Sequence, residues 1–230
     1  MAAKTFSTMK TNVGNMAQDT TTTFATLIGV WINDAYQDAQ KRGLWSDIID
    51  DDYTFESVVD QVEYDLPSDF SKEIFVADIA NGHPLTPFSE KQWWRRRAGD
   101  YQADSLDSGN PSRYVILKEA GKIKLDPPAD TAETYAMPYQ TTVTDLSLDA
   151  DTSSITTIST YLEFYAIGMA QAYKGFMDRS EWWLNRAEFE LRKRIKEEYT
   201  RVNQRVQRRL ADWKMSDIKY LVGEKSYDSI

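Results

Sequence analysis

The chain offers little to conventional catalysis. Its one histidine, His83, directly follows Asn81-Gly82, a hairpin turn signal, so it reads as a surface residue with no second imidazole to work with. Cysteine is absent. That excludes disulfides, thiolate metal sites, iron–sulfur clusters and thiol nucleophiles together. No GxxxxGK or GxGxxG phosphate loop and no GxSxG elbow occurs. The run Asp50-Asp51-Asp52 could bind a hard cation, but before a strand it reads first as a solvated turn. Asp145, Asp149 and Asp151 lack the glycine and the terminal glutamate of an EF-hand. Acids are spread along the chain, and none stands out as half of a glycosidase pair. The residues therefore predict no enzyme, no metal site and no cofactor.

Two segments carry the chemistry of recognition instead. The first is Gln92-Trp93-Trp94-Arg95-Arg96-Arg97. Aromatic side chains beside arginine suit an interface hot spot or the stacking of nucleic-acid bases. The simpler reading is a short helix whose tryptophans pack on a sheet. Trp93, Trp94, Arg95, Arg96 and Arg97 are the candidate inter-subunit surface. The second segment runs from Arg192 to Arg209. It holds eight basic residues, opposed within the segment only by Glu197 and Glu198. A solvated helix face, an acidic protein partner and a phosphate backbone all remain open for it.

Charge distribution bears on that choice. The 230 residues carry a net charge of −9, which argues against wholesale nucleic-acid binding. Residues 1–150 are at −11 and residues 151–230 at +2. An acidic body is joined to a locally basic end, so one copy could meet the basic end of another. Apolar residues make up 41% of the chain, too many for a disordered sequence and enough for a core without staples. No apolar run approaches the roughly 20 residues of a membrane span, and the first residues lack the apolar stretch of a signal peptide.

The elements that position these segments follow from periodicity. Phe6, Met9 and Val13 predict a helix over about 6–17, and the threonines at 20–23 interrupt it. Phe24, Leu27, Ile28, Trp31, Ala35 and Ala39 predict a second helix over 24–42, with Gly43 beyond its end. Strand signals follow over about 53–142: Tyr53–Val58, Gln61–Leu66, Glu73–Ile79, Pro84–Phe88, Arg113–Leu117, Lys122–Leu125 and Glu133–Thr142. Ser89 can cap a short helix to Arg97, and Tyr101–Asn110 reads as a loop. Thr144–Ser159 reads as a solvated loop. Two capping boxes, Thr160 with Glu163 and Asp178 with Glu181, predict helices over 160–177 and 179–213. In the last, Leu184, Ala187, Leu191, Ile195, Tyr199, Val202, Val206, Leu210 and Trp213 recur about every 3.6 residues, the period of a straight helix. Its length is on the order of 50 Å. Residues 214–230 keep Met215, Ile218, Tyr220, Leu221, Val222, Tyr227 and Ile230, apolar content that suits a partner-binding tail. The plan is α+β: a helix bundle with a long C-terminal helix and an antiparallel β insertion between helices two and three, in a single domain over 1–213.

Several segments, in this order, resemble the head–tail adaptor (connector) proteins of tailed bacteriophages. Trp31-Ile32-Asn33-Asp34-Ala35-Tyr36-Gln37-Asp38 with Trp45 is the first. Glu63-Tyr64-Asp65-Leu66-Pro67-Ser68-Asp69-Phe70 resembles the E-Y-D-L-P-x-D-F step into the sheet and is the most specific. Leu85-Thr86-Pro87, Asn110-Pro111-Ser112-Arg113-Tyr114 and Ile123-Lys124-Leu125-Asp126-Pro127-Pro128 follow. The helix around Ala166–Tyr173 and the next, with Trp182, Ala187 and Phe189, complete the series. Together they span residues 5–195, and residues 196–230 extend beyond them.

The resemblance implies a structural virion protein without catalytic residues. It implies a ring of about twelve copies that joins the capsid portal to the tail and continues the DNA channel. Its partners would be the portal protein, neighbouring copies, a tail or stopper protein and, in passage, double-stranded DNA, with no membrane. It would be made in the host cytoplasm and reside in the virion neck. Beyond what the resemblance implies, the basic helix end and apolar tail suggest that Arg201, Arg205, Arg208, Arg209 and Trp213, with the seven apolar residues of the tail, form the portal-binding surface, and that the tail orders on binding. A tail-side stopper or completion ring is the nearest alternative. A nucleic-acid-binding module and a wall-degrading hydrolase are more distant ones.

Overall fold

The computed structural model describes residues 3–99 and 108–212, and side chains within 3–95 and 108–208. The helices are α1 (Phe6–Ala17), α2 (Thr22–Arg42), α3 (Glu90–Gly99), α4 (Ser159–Tyr173) and α5 (Met177–Asp212). The strands are β1 (Ile49–Asp50), β2 (Thr54–Glu56), β3 (Glu63–Asp65), β4 (Phe70–Glu73), β5 (Ala77–Asp78), β6 (His83–Pro84), β7 (Thr86–Phe88), β8 (Arg113–Leu117), β9 (Lys122–Asp126), β10 (Thr134–Ala136) and β11 (Tyr139–Thr141). This is the expected α+β order. Every described strand lies between α2 and α4, and the short α3 sits inside the β insertion. The chain forms two compact units: residues up to Ile48 with Thr142–Val202, and Ile49–Thr141 with the described residues from Asn203 onward.

In the helical unit, α1 starts where Thr5 accepts a hydrogen bond from the Thr8 N–H and ends with Gln18 in the left-handed region. Phe6, Met9, Val13 and Ala17 are buried, one face at helical spacing. Thr21 caps α2 by accepting from the Phe24 N–H, so one of the interrupting threonines opens the helix two residues earlier than its apolar pattern suggests. Gly43 ends α2 in an extended conformation, φ −122°. The glycine is required by contact, because an added Cβ would lie 2.8 Å from the indole of Trp45. That indole is fully buried and donates to the Ala39 carbonyl at 2.8 Å.

Two expectations about this unit need correction. Residues 144–159 are not a solvated loop. Val143, Leu146, Ile155 and Ile158 are buried in the helical core, and Asn33 brackets Leu146 by donating to its carbonyl at 3.0 Å and accepting from its N–H at 2.9 Å. Tyr36 Oη accepts from the Ser154 N–H at 2.7 Å, and Asp47 accepts from the N–H and hydroxyl of Thr156. The buried residues are interspersed among exposed, mostly polar ones, and composition hides them. The capping boxes also fail. α4 begins at Ser159 with no side-chain cap, and Glu163 accepts instead from Lys4 and Asn12. α5 begins at Met177, so Asp178 lies within its first turn. α4 is buried on most of its circumference, because it packs against both α1 and α2. Where α4 meets α5, a Cβ on Gly168 would lie 2.8 Å from Leu184.

The β unit holds three small sheets, ordered β1-β11-β4, β2-β10-β5-β6 and β3-β9-β8-β7. All pairs are antiparallel except β7 with β8. Two strands expected to be continuous are each broken. Glu73–Ile79 splits into β4 and β5, and Glu133–Thr142 into β10 and β11. The breaks face each other: Pro138 interrupts one strand, having no N–H to give, and its carbonyl accepts from the Ile74 N–H. One two-stranded ribbon is thereby shared between two sheets. The Asn81-Gly82 hairpin joins β5 to β6 with Gly82 at φ +67°, leaving His83 exposed. Tyr64, Val76, Leu85, Tyr114, Ile123, Leu125, Tyr135 and Met137 form the core of this unit.

Candidate partner-binding surface

Helix α5 carries the basic segment, and its side chains divide by direction. Ala187, Leu191, Val202 and Val206 are buried, as their spacing predicts. Glu198 is buried with them, at 2% side-chain exposure. It accepts from the Ser46 N–H and hydroxyl and, through its other oxygen, from Arg201 at 2.7 Å. Arg201 itself stays exposed at 56%. Arg205 grips Asp51 with two parallel hydrogen bonds, 2.7 and 2.8 Å, the bidentate geometry that makes an arginine–carboxylate pair specific. Asp51 is therefore the seat of Arg205 and not part of a solvated turn. Arg208 is exposed and donates at 3.4 Å to the carbonyl of Gln204 in its own helix.

Earlier in α5, Arg192 pairs with Glu188 and Arg194 with Glu197. Glu188 also accepts two bonds from Arg42, at 2.6 and 2.8 Å. These guanidiniums hold its carboxyl down to about 2, mostly through the Arg42 hydrogen bonds. The basic segment is thus opposed by more acids than its own stretch contains, since Asp51 and Glu188 lie outside it. Lys193 and Lys196 are exposed and make no ion pair among the described residues. The Arg209 side chain, Trp213 and the tail residues Met215, Ile218, Tyr220, Leu221, Val222, Tyr227 and Ile230 lie outside the described residues.

The tryptophan–arginine segment forms α3, and Ser89 caps it. Its hydroxyl accepts from the Gln92 N–H, while Gln92 Oε1 accepts from the Ser89 N–H. Trp93 is buried at 3%, with the Lys124 ammonium 5.8 Å from its ring centre. Trp94 is 56% exposed and donates to Glu90. Arg95 is exposed, and the side chains of Arg96 and Arg97 lie outside the described residues. Among the described side chains of the segment, Trp94 and Arg95 are exposed and Trp93 is packed in the core.

Sequence reasoning missed a groove beside α3. It has a volume of about 590 Å³ and is lined by Phe88, Trp94, Ile116 and Leu117, with Glu73, Glu90 and Glu119 among the lining residues. Burial, with the nearby Glu73 charge as a smaller cause, raises the Tyr114 phenol well above its ordinary range. Phe176, Met177 and Trp182 are also exposed, around the α4–α5 corner. Periodicity alone signals such residues only as gaps in the polar face. The Asp145, Asp149 and Asp151 carboxylates are spent on Gln37, on Lys10 and on the N–H groups of Ser147 and Leu148.

Among the described residues, no cluster of three or more His, Asp or Glu side chains could hold a metal ion, and no helix is long and apolar enough to cross a membrane. No curated protein matches the chain. A protein-family model does match, that of the SU10 adaptor protein, over residues 4–215. That match takes in both compact units, all five helices and every described strand, and it agrees with the order of the resembling segments. The chain belongs to the SU10 adaptor protein family, the adaptors of bacteriophage particles.

Proposed function

We propose that this adaptor forms a closed ring of about twelve copies between the capsid portal and the tail, and that the ring continues the DNA channel. Residues 1–213 work in it as one adaptor domain. The observation that carries the reading is α5, a 36-residue helix whose outward face bears exposed aromatic side chains beside cations that make no ion pair among the described residues. Arg205 fixes the last turns of this helix on Asp51. Arg201 and Arg208, which are exposed, and Arg209, Trp213 and the apolar residues of 214–230 then meet the portal protein. The family consists of structural adaptors, and catalysis has no part in this role. The ring belongs to the neck of the virion, and DNA passes through it without being bound in sequence-specific fashion.

Deleting residues 214–230 tests the proposal. The shortened chain should keep its fold by circular dichroism and thermal unfolding and lose association with portal rings of the same phage. Undiminished association would refute the role given to the tail. A ring that forms on a tail protein but not on the portal would place the adaptor on the tail side as a stopper.

A further inference from the structure

The outward face of α5 is not explained by the packing of the helix. Counted from Trp182, residues Arg186, Phe189, Lys193 and Lys196 fall at i+4, i+7, i+11 and i+14, a single line on the side opposite Leu191 and Glu198. All five are exposed, Trp182 at 58% and Phe189 at 63%. The acids of this stretch lie off the line. Glu188 is engaged with Arg42 and Arg192, Glu197 with Arg194, and Glu198 faces the core, while the half-buried Glu190 flanks the line, four residues after Arg186 and three before Lys193. Arg186, Lys193 and Lys196 make no ion pair among the described residues. Single exposed apolar residues are ordinary. An exposed aromatic bracketed one turn before and one turn after by cations that hold no carboxylate, as Phe189 is by Arg186, whose guanidinium lies 6.0 Å from the Phe164 ring centre, and by Lys193, has the form of an anchor with its own charge selection.

The groove beside α3 has the complementary character. Phe88, Trp94, Ile116 and Leu117 supply apolar surface, and Glu73, Glu90 and Glu119 supply three carboxylates. Its one lysine, Lys118, is turned to the Ser71 carbonyl at 2.9 Å. We propose that Phe189 of one copy seats in this groove of a second copy, with Arg186 and Lys193 reaching its glutamates. The inference rests on the ring reading and names the two surfaces that such a ring joins. They are different surfaces, so the contact is head-to-tail. A head-to-tail contact is what a closed ring of identical subunits needs, whereas a two-fold contact would stop at a dimer.

Because the chain has no cysteine, introduced thiols report without background. Phe189→Cys and Leu117→Cys, made as separate chains, are mixed with portal rings and oxidised, and native mass spectrometry follows assembly. A disulfide between the two variants, with none in either alone, is expected. Arg186→Glu with Lys193→Glu should weaken assembly by about ten-fold or more, and Glu90→Lys with Glu119→Lys on the neighbouring chain should restore it. Rings that form without the cross-link and ignore the charge reversal overturn the inference and leave the ring standing. A wild-type chain that never assembles, with or without portal, overturns both. Loss of double-stranded DNA retention by the charge-reversed chain, with assembly intact, assigns the face to DNA and also overturns the inference.

Discussion

Toward the start of α5, Arg186, Lys193 and Lys196 stand outward beside Trp182 and Phe189; toward its end, Arg201 and Arg205 turn onto Glu198 and Asp51. Both stretches look alike as a count of basic residues. What distinguishes them is fixed by distant parts of the chain: Asp51 is 154 positions from Arg205, and Glu198, in α5 itself, is held by Ser46 across 152. A cation with a buried or half-buried carboxylate stabilises the fold. A cation left on the outward face costs little to keep and is available to a partner. The comparison teaches that a basic stretch should be divided by what its charges already hold before it is given a role.

Four tests break or sharpen this contrast. The largest effect should come from Glu198→Ala. It removes the carboxylate that the half-buried Ser46 N–H and hydroxyl donate to and releases Arg201, and the expected loss is about 1–3 kcal/mol in denaturant unfolding. Arg205→Ala removes a bidentate pair in which the arginine is 38% exposed, so roughly 1 kcal/mol is expected, with a matching loss from Asp51→Ala and little further loss in the double variant.

The Glu188 carboxyl gives a pH signature. Its value is lowered from 4.5 to about 2, so its stabilising effect is full above about pH 4.5 and is lost as pH falls toward about 2. Since Glu188 and Arg42 are each about one-third exposed, solvent screening leaves this worth no more than about 1 kcal/mol. Glu188→Gln should flatten that part of the acid-unfolding curve. The smallest effect on stability is expected for Lys193→Ala with Lys196→Ala, within about 0.5 kcal/mol by thermal unfolding, while assembly is measurably weakened. A large stability loss there would erase the distinction between the two stretches.

Much of the helical plan is legible in the sequence, because period and caps are local. The bounds of α1 follow from Thr5, Phe6, Met9 and Val13, and the core line of α5 from a repeat sustained over eight turns. The segments that resemble the adaptor family turn out to be folding devices. Asn33, Tyr36 and Gln37 hold the 143–158 segment. In the second motif, Tyr64 donates to the Gln61 carbonyl, and Asp69 accepts from Tyr139. What the sequence hides is non-local. A Ser/Thr/Asp-rich stretch produces capping-box patterns by chance, so Thr160 and Asp178 misplace the helix starts. The shared break at Ile74 and Pro138 depends on two strands meeting. The groove beside α3 draws on residues from Glu73 to Ala120, and no local pattern joins them.

The most direct test of the central claim is mass photometry of the full chain, alone and with portal rings of the same phage. The account predicts uptake of about a dozen copies per portal as one discrete added mass. A portal mass unchanged at saturating adaptor, with the chain still folded, would contradict it.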